Sequence, residues 1–268
     1  MVQKVNLIWL MLLIPSFVNA SPLFDAHLHY NAADATQFSP QQIIRKLEQN
    51  EIRRAVVTGT PASHTARLYQ HAPDRIVPFL SVYRNHEDKL KWQNDTTLPA
   101  RIESELKKGI WQGIGELHIF AKDRHSPVFH RIIMMAAEHK LPLQIHGDPA
   151  VIDTVFELKP SQTVIWAHAG TFPYSDLIED YLQRYPTLYV DLSVRDERIA
   201  PNGQISDEWY ELLVKFPNRF MVGVDTFSLS RWENFDAAVT IIRRWLAQLP
   251  EDVAKNIAYN NVEALLIR

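Results

Sequence analysis

The chain has 268 residues, 46% of them hydrophobic, with a formal net charge of -3 and a pI near 6.4. That length supports one large core, and the mild acidity favours neither a nucleic-acid partner nor a membrane surface. There is no cysteine, hence no disulfide framework and no thiolate metal site, and any metal must be held by nitrogen and oxygen.

Residues 1–20, MVQKVNLIWLMLLIPSFVNA, put Lys4 ahead of an apolar stretch from Leu7 to Val18 and end in Val18-Asn19-Ala20, a small-x-small cleavage pattern. The stretch is short for a membrane span. It reads as a secretory signal peptide, with an uncleaved anchor or a buried first helix as the alternative. The expected mature chain, residues 21–268, is secreted or periplasmic, free of the membrane, and held by core packing alone. It keeps 27 basic and 31 acidic residues.

The remainder alternates short β-rich runs with helical stretches. LFDAHLH precedes SPQQIIRKLEQN, and RAVVTG precedes PASHTARLYQHA. IVPFLSVY leads to LPARIESELKKG, IWQGIGELHIF to SPVFHRIIMMAAEHK, and LPLQIHG to DPAVIDTVFELK. TVIWAHAG, TLYVDLSV and RFMVGVD open the last three units. Ser39-Pro40 and Ser126-Pro127 have the form of an N-cap followed by the first helical residue. Gly109 behind Lys107 and Lys108 suits a helix C-terminus, and Pro160, Pro186 and Pro217 close helices. Eight strand–helix units in about 250 residues predict an α/β fold, a single-domain (β/α)8 TIM barrel. An open doubly wound sheet is the alternative, but no glycine-rich phosphate loop follows the first strand.

On that frame His27 and His29 end strand 1, Glu116 and His118 end strand 4, His146 ends strand 5, His168 ends strand 6 and Asp225 ends strand 8. Side chains two apart on a strand share a face. Strand C-termini of a barrel converge on one mouth, where active sites form. Singly, each histidine is a satisfied polar residue by default, and Asp225 a loop cap. Together they predict a divalent-metal cage, the imidazole and carboxylate ligands suiting zinc, manganese, iron or cobalt. His64, His71, His86, His125, His130 and His139 fall mainly on predicted helices and loops and are not assigned. Arg84 and Arg195, in loops after strands 3 and 7, suit a substrate carboxylate or phosphate. Ion pairs with Glu87, Asp88, Asp196 or Glu197 are the other reading. His118 is expected to touch the substrate or a metal ligand. Asp191 and Ser193 line the pocket or fill a barrel layer, and Tyr30 and Trp232 wall an apolar pocket or pack on loops.

The ordered motifs DAHLH, GIGELH, QIHGD, WAHAG and VGVDT resemble the metal-dependent amidohydrolase superfamily over nearly the whole of residues 21–268. NNVEALL is similar to the closing helix of amidohydrolase-related proteins. FDAHLH, WAHAG and YVDLS resemble the amidohydrolase-related branch of hydrolases, lactonases and nonoxidative decarboxylases. GIGELH departs toward TatD-type and phosphotriesterase-like enzymes, with Glu116 where a carboxylated lysine would otherwise bridge two metals.

The resemblance implies a one-ion version and a two-ion version. In the first, His27, His29, His146 and Asp225 surround the ion, and His168 positions its water. In the second, His27, His29 and Asp225 hold one ion, His146 and His168 hold the other, and Glu116 bridges. In both, water activated by the metal, most readily zinc, is the nucleophile, and Asp225 moves its proton to the leaving group. The leading expectation is hydrolysis of an amide, ester, lactone or phosphoester bond in a small-molecule substrate. A decarboxylase on the same scaffold and a noncatalytic metal-holding binding protein are the alternatives.

Overall fold

The computed structural model describes residues 22–267; the expected signal segment, residues 1–20, lies outside the described residues. Eight parallel strands run in sequence order, β1 (Leu23–His29), β2 (Ile52–Thr58), β3 (Ile76–Leu80), β4 (Gly113–Ile119), β5 (Leu143–Gly147), β6 (Val164–Trp166), β7 (Leu188–Asp191) and β8 (Phe220–Met221). The sheet closes through backbone bonds just past β8: Ala26 N–H donates to the Val222 carbonyl at 2.9 Å and Asp225 N–H to that of His27 at 2.7 Å. The result is a single-domain (β/α)8 barrel. Helices alternate with the strands, from Pro40–Gln49 after β1 to Phe235–Leu246 after β8. Ser39 and Ser126 cap their helices as expected, each hydroxyl accepting from backbone amides of the first turn. No helix among the described residues is long and apolar enough to cross a membrane.

The core lies in two places. One cluster fills the space between strands and outer helices, and the other lies inside the barrel around Phe24, Ala26, Val77, Phe79, Ile165 and Met221. Val262 and Leu266, on the closing helix Asn261–Leu266, join the inner cluster and plug the barrel bottom. Asn261 fastens that helix by donating to the carbonyls of Pro217 at 2.9 Å and Phe220 at 2.8 Å. Gly113 makes room for the inner layer, since a Cβ there would sit 2.4 Å from the Phe79 ring.

Two irregularities aim the functional side chains. On β1, Asp25 pairs with Ala55 and Leu28 with Val57, three steps against two on β2. On β4, Ile114 pairs with Leu143 and Leu117 with Ile145, again three against two. Each extra residue reverses the alternation. Phe24 and Ala26 therefore point inward below the first bulge, and His27 and His29 point inward above it. Glu116 and His118 likewise share the inward face at the top of β4.

Candidate metal centre

All seven predicted residues meet at the C-terminal mouth of the barrel. Glu116 is the hub. Its Oε1 lies 3.0 Å from His146 Nδ1, 3.1 Å from His168 Nε2 and 3.7 Å from His27 Nε2. Its Oε2 lies 3.5 Å from His29 Nε2 and 3.4 Å from His118 Nε2. His27 Nε2 and His29 Nε2 converge to 3.2 Å, and His29 Nε2 is 3.2 Å from Asp225 Oδ1.

His27 and His29 stand within β1, but two partners lie outside their strands. His168 lies past the end of β6 in a short 3₁₀ turn with φ 59°, and Asp225 lies beyond β8 with φ 54°. Both backbones are in the left-handed region, which side-chain-bearing residues rarely occupy. Each turn is gripped by an arginine. Arg195 donates to the carbonyls of His168 at 2.7 Å and Gly170 at 3.0 Å. Arg231 donates to the carbonyls of Val224 and Asp225.

Around this lies a ring of orienting groups. His27 Nδ1 pairs with Asp191 Oδ2 at 2.8 Å, and His168 Nδ1 with Ser193 Oγ at 2.9 Å. Ser193 in turn donates to Asp191. Asp191 and Ser193 therefore line the site and fix two imidazoles. The Tyr83 hydroxyl accepts from the His118 backbone N–H at 2.7 Å and lies 3.3 Å from His118 Nδ1. Asp25, a residue the sequence reading passed over, accepts from the backbone N–H of His27 at 2.9 Å and of Val224 at 3.2 Å, tying β1 to the chain after β8.

The electrostatics follow from these contacts. Burial works against charge on Glu116, but the imidazoles of His118 and His27 outweigh it and hold its carboxyl well below the usual range. Asp225 is buried too, yet His27 and His29 bring it to about 2. For His27, burial opposes protonation, and the carboxylates of Asp191, Asp225 and Glu116 override it and raise its pKa well above the ordinary value. His118 goes the other way, to about 3, because burial dominates over the attraction of Glu116. The centre thus demands positive charge, as protons on imidazoles or as a cation.

Asp225 Oδ1 is buried and accepts no hydrogen bond. A buried carboxylate oxygen that faces the imidazole nitrogens of His29 at 3.2 Å and His27 at 3.9 Å without a well-formed hydrogen bond fits a divalent metal. Among the described residues three ligand groupings are close enough to hold one: His27, His29 and Asp225; His27, Glu116 and His168; and Glu116, His118 and His146, each with its ligand atoms within 4.8 Å of one another. His168, expected beside His146, also stacks on His27 at 4.8 Å, while His118 stacks on His146 at 4.5 Å.

The remaining expected residues are distributed differently. Arg84 lines a cleft of about 420 Å³ that opens beside His29, but its guanidinium pairs with Asp88 at 2.9 Å and stands 3.7 Å from Asp95. Arg195 is turned toward the backbone carbonyls named above. Tyr30 and Trp232 are buried: the Tyr30 hydroxyl donates to the Phe38 carbonyl at 2.7 Å, and Trp232 stacks on Phe235 at 5.3 Å.

A (β/α)8 barrel whose mouth gathers imidazoles and carboxylates from five strands defines a metal-dependent hydrolase. The chain belongs to the amidohydrolase family, whose model matches residues 24–267. Similar solved structures include an uncharacterized TIM-barrel protein from Bordetella bronchiseptica, at 14% identity and TM-score 0.66 over 91% of this chain and 98% of that one. A zinc-bound amidohydrolase from Burkholderia multivorans aligns at 13% identity and TM-score 0.58 over 91% and 99%. A TatD homolog from Escherichia coli aligns at 12% identity and TM-score 0.66 over 92% and 98%. No curated protein sequence matches. At these identities the likeness is one of fold.

Proposed function

We propose that this chain is an exported hydrolase that uses metal-activated water to cleave an amide, ester, lactone or phosphoester bond in a small molecule. The observation that carries the reading is the placement of Glu116, one oxygen toward His146 and His168 and the other toward His29 and His118. A carboxylate so placed suits a bridge between two cations. His27, His29 and Asp225 would hold one ion, and Glu116 with His146 and either His118 or His168 would hold the second. Zinc leads among zinc, manganese, iron and cobalt, on the nitrogen and oxygen donor set and the zinc bound by the Burkholderia amidohydrolase.

A divalent cation here supplies Lewis acidity and lowers the pKa of water from near 16 to about 7. The chain's own groups do the rest. Asp225 accepts the water's proton and returns it to the leaving group. His168, held at Nδ1 by Ser193 and with its Nε2 3.7 Å from Asp225 Oδ2, positions the nucleophile beside Asp225. Asp191 keeps the Nε2 of His27 directed into the centre. The cleft beside His29 admits a small substrate.

The test is to assay the purified, metal-loaded protein against panels of esters, lactones, amides, phosphoesters and carboxylic acids. Hydrolysis that disappears on chelation and returns with metal is expected. Carbon dioxide release from an acid, with every hydrolytic substrate inert, would replace the reading with a decarboxylase. Export is supported by the apolar stretch from Leu7 to Val18 ahead of Ala20 and is checked by the intact mass of material from a secreting host.

A further inference from the structure

The cleft beside His29 is bounded by the loop that follows β3, and the ion pairs of that loop leave one of its cations out. Arg84 pairs with Asp88 and Asp95, Lys91 with Glu87, and Arg101 with Asp95. Lys89 is the exception: among the described residues no carboxylate lies within ion-pair distance of it. It is nevertheless half-buried, lines the cleft together with His29, and holds its Nζ 5.9 Å from the centre of the Tyr83 ring. Tyr83 is the residue whose hydroxyl accepts from the His118 backbone, so the ammonium stands one side chain away from the metal centre. Asp34, the acidic residue among those lining the cleft, is already engaged, its Oδ2 accepting from Asn31 N–H at 2.7 Å. Pro61, Phe227 and Leu229 give the same cleft an apolar lining, with Phe227 57% exposed.

An ammonium at the cleft wall that has an aromatic face beside it and no carboxylate is open to an anion. We propose that Lys89 is the specificity residue of this site, binding a carboxylate of the substrate while the substrate's apolar portion lies on Pro61 and Phe227. The inference rests on the metal-hydrolase reading and names the substrate class for it: a small carboxylic acid derivative whose scissile group reaches the metal centre and whose free carboxylate reaches Lys89. One unpaired positive charge matches a monoanion. A phosphate dianion is better served by several cations or by the fork of an arginine, and Arg84 is committed to Asp88.

The experiment uses binding, so it does not depend on finding the natural substrate. Glutarate and its monoamide, glutaramate, are titrated calorimetrically into the metal-loaded protein, into Lys89→Met and into Lys89→Arg, with metal content measured on the same samples. Wild type is expected to prefer glutarate about tenfold, the scale of one charge-assisted hydrogen bond. Lys89→Met should abolish the preference and Lys89→Arg should keep it. Equal binding of the two ligands by wild type, or a preference that survives in Lys89→Met, overturns the proposal; the wild-type ratio decides even if a variant folds poorly. Tighter binding of 3-phosphonopropionate than of glutarate would overturn the choice of a carboxylate. A protein that takes up no metal would sink the metal-hydrolase reading itself, whereas one that takes up metal but ignores the glutarate charge loses only the role of Lys89.

Discussion

The imidazole of His27 and the carboxylate of Asp191 meet at 2.8 Å, both out of contact with water, although 164 residues separate them in the chain. With Nδ1 donating to Asp191, the Nε2 of His27 carries its lone pair into the centre beside His29. A carboxylate behind a ligating histidine fixes the tautomer and raises its basicity. Asp191→Ala should therefore weaken metal binding about 10–100-fold with the far-ultraviolet spectrum unchanged. Competition against a chelator of known affinity measures this, and an unaltered dissociation constant would remove Asp191 from that role.

Glu116 separates the one-ion and two-ion forms. A carboxylate shared by two cations must be ionised, and its loss releases one of them. A carboxylate that only supports His146 would, when lost, weaken binding without changing the count. Elemental analysis after reconstitution should find two ions per chain in wild type and about one in Glu116→Gln. A wild type that never exceeds one ion would end the bridging role and strengthen the decarboxylase alternative.

The sequence made the strands and the gathering of ligands legible because apolar runs recur eight times and the histidines stand at their ends. It did not reveal how those residues are aimed. Strict alternation takes β1 as uninterrupted, yet the bulge between Asp25 and Leu28 is what turns His27 inward together with His29. His168 and Asp225 fall outside their strands, because β6 stops at Trp166 and β8 at Met221 before the chain enters left-handed turns. Partnerships differ in the same way. The pairing of Arg84 with Asp88 spans four residues and was readable as an alternative. The hold of Arg195 on the His168 carbonyl spans 27 residues and has no local signature.

Arg195 and Arg231 offer a test of that hold. Each donates to carbonyls of a turn that carries a functional side chain in the left-handed region. Loss of the guanidinium lets His168 or Asp225 drift, and misplacement by about 1 Å costs on the order of a hundredfold in rate. Arg195→Met and Arg231→Met should each lower kcat by roughly 10–100-fold with KM little changed. Buried carbonyls left without donors should also cost about 1–3 kcal/mol in urea unfolding. A rise in KM alone for Arg195→Met would instead return that residue to the substrate.

Metal removal should loosen the whole barrel. The centre ties β1 to β4, β5 and the turns after β6 and β8, and it buries the carboxylates of Glu116, Asp191 and Asp225 among five imidazoles. A cation bound only by the folded chain stabilises it by about 4 kcal/mol when free metal is a thousand times its dissociation constant. For a chain of this size 1 kcal/mol moves the midpoint by roughly 2–4 °C, so complete chelation should lower Tm by roughly 8–16 °C. Re-addition of zinc should restore it. Asp225→Asn, which keeps the side-chain volume but loses the charge, should start nearer the chelated Tm and respond less to the chelator. Scanning calorimetry with and without chelator reads both effects. A wild-type Tm indifferent to chelation, on samples shown by elemental analysis to have lost their metal, would mean that the ligand cluster holds the barrel together through its own hydrogen bonds alone.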